Sequence, residues 1–185
     1  FVDGVSSIAS MDFRMDEWGV DIAVTGSQKG FMLPAGLAIV GFSPRAMAAL
    51  ETASLPRTFF DVRDMARGYA ANAYPYTPTV GLLNGLKLSC DMLLGEGLEA
   101  VFARHHRIAE GVRRAVNAWG LKLCAQSDDL HSDTVSAIRT PEGFDATDIV
   151  THAAQKYGVA FGVELGEVAG RVFRIGHLGS LTDVM

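Results

Sequence analysis

Two strand-length segments flank a short loop that carries a lysine, and this arrangement constrains the fold more than any other feature of the chain. Val20-Asp21-Ile22-Ala23-Val24-Thr25 alternates and is rich in β-branched residues, the pattern of a strand. Leu37-Ala38-Ile39-Val40-Gly41-Phe42 is an apolar run of similar length, as expected of a strand buried on both faces. Between them, Gly26-Ser27-Gln28-Lys29-Gly30 is a loop bounded by glycine. Upstream, Phe1-Val2-Asp3 reads as a strand end, Val5 to Ser10 as a serine-bearing loop, and Met11 to Gly19 as a polar connection or helical turn. Strands interleaved with the helices predicted next define an α/β chain. Asp3 and Lys29 then fall just past the carboxyl ends of parallel strands, the edge at which open α/β sheets bind ligands.

The rest of the chain alternates in the same way. Ser43-Pro44 has the form of an N-cap followed by proline at the first helical position, and predicts a helix from Pro44 to about Thr52. Residues 53–79 read as irregular and aromatic, with Pro56, Pro75 and Pro78. Thr79 to Leu94 reads as a helix, and Gly95 and Gly97 mark the expected boundary between a first domain, residues 1–95, and a second, residues 96–185. Helical spacing over Leu98 to Trp119 closes on Gly120. Strands are expected at Leu121–Ala125, Thr134–Arg139, Val159–Gly162 and Val172–Gly176, and a helix at Asp145–Tyr157 ending on Gly158. These form a small α+β unit packed on the first. The chain opens inside a strand and stops where a helix could begin, so it is read as an internal piece of a longer polypeptide, with the second domain truncated.

Composition narrows the function classes. The 185 residues are 49% hydrophobic and 20% charged, which excludes disorder and a coiled coil. A net charge of -5 lacks the basic footprint of a nucleic-acid binder, so no nucleic-acid partner is expected. The charge-free stretches Gly30–Pro44 and Gly68–Leu86 are broken by proline and asparagine, whereas a spanning helix needs about 20 predominantly apolar residues. No membrane partner is therefore expected. Two cysteines, Cys90 and Cys124, form no disulfide framework; they fit a reducing, cytoplasmic setting and read as core. His105-His106, between Arg104 and Arg107, reads as a solvated helix face, and His131 and His152 lack a ligand cluster, so no metal is expected.

Asp3 and Lys29 suggest a specific chemistry. An aldehyde cofactor needs an amine placed where it can be desolvated and deprotonated. A pyridine ring acting as electron sink needs a carboxylate to keep its nitrogen protonated. Taken singly, a strand-end Asp and a loop Lys are more often plain solvated residues. Tyr74-Pro75-Tyr76-Thr77-Pro78, standing alone, is a rigid proline-rich turn.

In combination, four ordered motifs resemble the class V, fold-type I aminotransferases that depend on pyridoxal phosphate. They are Val2-Asp3-Gly4-Val5-Ser6-Ser7, Gly26-Ser27-Gln28-Lys29-Gly30, Pro34-Ala35-Gly36-Leu37 and Phe173-Arg174-Ile175-Gly176-His177-Leu178-Gly179. The similarity covers essentially the whole chain and lies with the serine–glyoxylate and alanine–glyoxylate branch. It implies the C-terminal part of such an enzyme: the end of the large, mainly parallel-sheet domain plus a small α+β domain.

The resemblance also implies roles. Lys29 would hold the cofactor as an imine and move the substrate's Cα proton, and Asp3 would pair with the pyridinium nitrogen. Val5 would lie against one ring face, and Gln28 would contact the phosphate. Arg174 would bind the substrate α-carboxylate in a bidentate fork. Its alternative, an ordinary surface arginine, sits poorly with the apolar residues on either side. Tyr74 and Thr77 would reach the phosphate of the neighbouring subunit, which implies a homodimer with shared active sites. The glycine-rich phosphate loop and the aromatic over the other ring face would lie outside this chain, so the chain alone is expected to be inactive.

The implied reaction moves the amino group of serine, alanine or aspartate to glyoxylate, giving glycine and a 2-oxo acid. The alternatives are a cysteine desulfurase or lyase of the same class, or a non-catalytic scaffold of the same fold. The former usually carries His before the lysine and needs a mobile Cys, but here Gln28 precedes Lys29. Asp3, Lys29 and Arg174 together argue against a scaffold. An aspartate donor would need a second cation, for which Arg57, Arg63, Arg67 and His177 are candidates.

Overall fold

The computed structural model describes residues 1–163 and 166–184. The first sheet comprises β1 (Val2–Asp3), β2 (Ile22–Gly26) and β3 (Ala38–Phe42), in that order across the sheet. β1 pairs parallel to β2, with Asp3 opposite Val24, and β3 pairs antiparallel, with Ala38 opposite Gly26. Alternation in β2 buries Ala23 and Thr25 on one face. β3 departs from expectation. Val40 is 41% exposed and Ala38 is also exposed, because β3 pairs on one side only and little but the short helix α1 (Pro44–Ala49) packs against it. The N-cap of α1 is Ser43, whose Oγ accepts from the Ala46 N–H at 3.0 Å and donates to Asp21 Oδ1 at 2.7 Å.

The stretch expected to be irregular contains α2 (Val62–Ala70). Its start is an Asp61 cap accepting from the Arg63 N–H at 3.0 Å, with Asp64 in the first turn and Arg67 in the last, each favourable to the helix dipole. Val62, Met65, Ala66, Tyr69 and Ala70 stand at helical spacing, yet none of its residues is buried, so this apolar stripe meets no core among the described residues. Next, α3 (Val80–Glu96) runs on through Gly95, and the chain breaks at Gly97, where φ is 89°, a region that favours glycine. In α4 (Leu98–Ala118), Val101, His105, Ala109, Arg113 and Val116 form one buried stripe at helical spacing.

β4 (Lys122–Leu123), β5 (Val135–Arg139), α5 (Ala146–Tyr157), β6 (Gly162–Val163) and β7 (Val172–Gly176) complete the chain. The second sheet has the order β4-β5-β7-β6 and is antiparallel throughout. Asp145 caps α5 by accepting from the Thr147 N–H at 2.7 Å, and Gly158 ends it in the left-handed conformation. Val116, Ile138, Ala146 and Phe173 form the core, where α4 and α5 cover one face of this sheet. β4 is shorter than predicted, and β6 starts at Gly162, where the predicted strand was to end.

Candidate active site

The loop after β2 is organised by one buried serine. Ser27 Oγ donates to the Pro34 carbonyl at 2.7 Å and accepts from the Leu37 N–H at 3.2 Å. Its own N–H donates to the Leu37 carbonyl at 3.1 Å, and its carbonyl accepts from the Leu33 N–H at 3.0 Å. A further turn, Met32 N–H to Lys29 carbonyl at 2.9 Å, closes the segment from which Lys29 projects, half-buried. Among the described residues the Lys29 amine forms no ion pair and no side-chain hydrogen bond.

Gly30 explains how the Asp3 and Lys29 segments meet. A Cβ there would collide with the Ile8 carbonyl oxygen and lie 2.8 Å from Ser10 Oγ, so glycine lets the 5–11 loop press directly on the lysine loop. That loop is itself wound up by the Gly4 carbonyl, which accepts from Ser7 and Ile8 at 3.1 and 2.9 Å. Asp3 Oδ1 accepts from the Val5 N–H at 3.0 Å, and the carboxylate is exposed at the end of β1. Asp3, Val5, Gln28 and Lys29 thus gather at the carboxyl ends of two adjacent parallel strands. A carboxylate acceptor and an uncommitted primary amine at the ends of adjacent strands are a donor set that suits an aldehyde bearing a basic ring nitrogen. Gln28 is exposed, with its amide folded back over Gly26.

Arg174 comes from the second sheet. It lies in β7 opposite Ala137 and Gly162, and its Nη2 donates to the Val163 carbonyl at 3.0 Å while the side chain is exposed. His177, just past β7, is buried. Its Nδ1 is 3.1 Å from the Asp133 carbonyl, which can only accept, so Nδ1 carries the proton and Nε2 accepts from Ser136 Oγ at 3.0 Å. Burial pushes its pKa below the ordinary histidine value. A neutral, fully bonded imidazole offers no cation to a distal carboxylate. The other candidates for that task are also engaged: Arg57 and Arg63 share Asp61 at 3.5 and 2.6 Å, and Arg67 pairs with Asp64.

Two expectations need correction. His105 is 1% exposed rather than solvated, because the inward stripe of α4 passes through it, whereas His106 faces out and pairs with Asp133 at 3.0 Å. Cys90 on α3 and Cys124 just after β4 are half-buried rather than core. Tyr74 is 61% exposed and Thr77 is exposed; neither hydroxyl bonds to Asp3, Gln28, Lys29 or Arg174 among the described residues. Their neighbour Tyr76 stacks on Phe59 with ring centroids 4.2 Å apart. The chain therefore brings Asp3, Val5, Gln28 and Lys29 together on one sheet edge and does not bond Tyr74 or Thr77 to them. Sequence reasoning missed Ser27 and Gly30 as the residues that set the lysine. The glycine was visible as loop punctuation, but a single serine carries no local signal of burial.

The profile of the class-V aminotransferases matches residues 1–172. The L-aspartate–glyoxylate aminotransferase of Paracoccus denitrificans (strain Pd 1222) is 77% identical over 185 residues, which cover 100% of this chain and 47% of that protein. The serine–glyoxylate aminotransferase of Hyphomicrobium methylovorum is 54% identical over 186 residues, covering 100% and 46%. Among solved structures, the pyridoxamine–pyruvate aminotransferase of Mesorhizobium loti superposes with a TM-score of 0.92 at 39% identity, covering 97% of this chain and 46% of that one. The chain spans about half the length of the curated relatives it matches. Fold and matches together define an α/β protein with the architecture of the C-terminal part of a fold-type I aminotransferase. The chain belongs to the class-V aminotransferase family.

Proposed function

We propose that this chain is the C-terminal part of a pyridoxal-phosphate-dependent amino acid–glyoxylate aminotransferase, which forms glycine and a 2-oxo acid. One observation carries the reading: the uncommitted Lys29 amine stands with the Asp3 carboxylate at the ends of adjacent parallel strands. Likeness to proteins named for aspartate–glyoxylate and serine–glyoxylate transamination supports it, and the 77% identity ranks aspartate first as amino donor, with its distal carboxylate met by an arginine that leaves a surface ion pair or by a cation outside this chain.

In this reading Lys29 would anchor the cofactor covalently in the resting enzyme and, once displaced by the incoming substrate amine, its freed amine would take and return the proton at the substrate's Cα. Asp3 would keep the ring nitrogen charged through its carboxylate, Val5 would pack on the ring, and Gln28 would hold the phosphate. Bound there, pyridoxal phosphate supplies an electron sink for the charge left at Cα. Arg174 grips the α-carboxylate that all donors and acceptors share. Tyr74 and Thr77 serve the phosphate site of a second copy, so the working protein is a homodimer and the chain alone is inactive. Residues 1–95 belong to the large domain and 96–185 to the small one. Among the described residues no helix is long and apolar enough to cross a membrane, and the proposed location is the cytoplasm.

The test uses the full-length protein. After borohydride reduction, peptide mapping should find the pyridoxyl group on Lys29; a label on Lys87, Lys122 or Lys156 would overturn the assignment. A half-reaction panel with aspartate, serine and alanine, followed by the change in cofactor absorbance, should respond most strongly to aspartate. Sulfide release from cysteine in its place would favour the desulfurase reading.

A further inference from the structure

The segment 177–181 follows the Arg174 strand and runs back across the lysine loop without joining any strand. A Cβ on Gly179 would lie 3.6 Å from the Lys29 carbonyl oxygen and 3.6 Å from Met32 Cγ, so the two backbones are packed against each other. Gly179 adopts φ of 87°, which favours glycine. Its N–H is buried and has no ladder partner, a situation that demands an acceptor from elsewhere.

His105 supplies that acceptor. Its Nδ1 lies 2.8 Å from the Val101 carbonyl and therefore carries the ring proton, leaving Nε2 to accept from the Gly179 N–H at 3.0 Å. The neighbouring Arg104 donates to the carbonyls of Gly179 and Leu181 at 2.9 and 3.1 Å, and is itself held by Glu96 at 2.7 and 2.9 Å. On the far side of the lysine loop, Ser89 of α3 donates to the Phe31 carbonyl at 2.5 Å. The corner between α3 and α4 thus grips both segments from behind.

We infer that His105 is a positioning residue: by accepting from Gly179 it holds the 177–181 strap against the Lys29 loop, and so sets where Arg174 stands relative to the Lys29 amine. The meaning of that spacing for catalysis rests on the aminotransferase reading, but the mechanical link does not. An apolar side chain could fill the same space in α4, yet it would leave the buried Gly179 N–H orphaned and the strap held from α4 by Arg104 without the imidazole.

Amide hydrogen exchange on the cofactor-free full-length protein tests the link. With His105→Phe, peptides covering 177–181 and 27–33 should both exchange about tenfold faster, while β5 and the remainder of α4 keep their protection. His105→Gln, which retains an acceptor of similar reach, should restore both segments. In the loaded enzyme the Phe variant should raise KM for the amino donor more than it lowers kcat, since Arg174 is displaced and the Lys29 amine is retained. Faster exchange at 177–181 with 27–33 unchanged would overturn the coupling. Equal acceleration across α4 and β5 would make His105 a core residue and nothing more. Should the Phe variant fail to fold, His105→Asn, too short to reach Gly179, carries the same expectations. Absence of a pyridoxyl label on Lys29 would defeat the aminotransferase reading and leave the exchange result standing.

Discussion

Two segments of this chain carry candidate cofactor residues, and they are built in opposite ways. The 27–37 loop is tied to itself through four hydrogen bonds of buried Ser27 and is pressed on by the 5–11 loop at Gly30. The 53–79 segment, with Tyr74 and Thr77, turns Leu55, Phe60 and Tyr69 to solvent, and its ion pairs are local ones within 57–67. The difference teaches where each set of residues gets its position. Lys29 is placed by the backbone of this chain. Tyr74 and Thr77 sit on an apolar surface of the kind that marks an interface, and under the proposed reading the second copy places them.

The largest effect should come from Lys29→Ala. Loss of the group proposed to transfer the proton should cut turnover about 10²- to 10⁴-fold, with the urea midpoint unmoved because the amine bonds to nothing among the described residues. A variant of near-parental activity would remove the lysine loop from the site. Arg174→Ala should weaken every amino and keto acid alike, by about 1.5 to 3 kcal/mol, or roughly ten- to a hundredfold. If affinity for a single donor fell and the others held, Arg174 would belong to a side-chain carboxylate.

Ser27→Ala sharpens the contrast from the structural side. It orphans the Pro34 carbonyl and the Leu37 N–H in a buried place, at a cost of about 1 to 3 kcal/mol in chemical denaturation. A change within experimental error would mean the loop is held by something else.

Acidity acts on the second unit in the same sense. Burial holds the pKa of His105 and His177 below the ordinary 6.5, and both are neutral and bonded when folded. The unfolded chain takes up protons at these sites first, so their contribution is whole above pH 6.5 and is lost as pH falls toward the depressed folded values. Urea midpoints should therefore drop between pH 7.5 and 5.5, and less steeply in His177→Asn; equal slopes would clear His177 of the effect.

The smallest stability effect belongs to the exposed segment. Tyr74→Phe with Thr77→Ala should shift unfolding by no more than about 0.5 kcal/mol, as for surface positions generally. Its consequence should appear only between subunits. Mixed with a Lys29→Ala subunit, the double variant should regain activity toward one working site per dimer, because one site then collects both lesions. No recovery despite proven subunit exchange would put Tyr74 and Thr77 outside the partner's site.

Local chemistry made much of this chain legible. β2 was written in β-branched alternation, β7 in the apolar residues around Arg174, α1 in its cap, α5 in the glycine that ends it, and α4 in its apolar spacing and the glycine that follows, all signals that act within a few residues. The strand ends and the glycine-bounded loop around Asp3 and Lys29 were equally readable as local patterns, while the roles proposed for the two side chains came from the resemblance of the ordered motifs. By contrast α2 was missed although Val62, Met65, Ala66 and Tyr69 stand at helical spacing, because the prolines and aromatics around it drew all of 53–79 into an irregular reading. The full burial expected of β3 failed because burial depends on what lies over a strand, not on its own residues.

The two adjacent histidines make the limit concrete. His105 and His106 are chemically identical in the sequence, and helix phase alone sends one to Gly179, 74 residues away, and the other to Asp133 at the surface. Gly30 presents the same case: its need to lack a Cβ comes from Ile8 and Ser10, residues in a different loop. Strand, helix and reactive side chain follow from forces within a turn or a cap. The buried partners that position them come from distant parts of the chain, and only the packed tertiary structure brings those within hydrogen-bond reach.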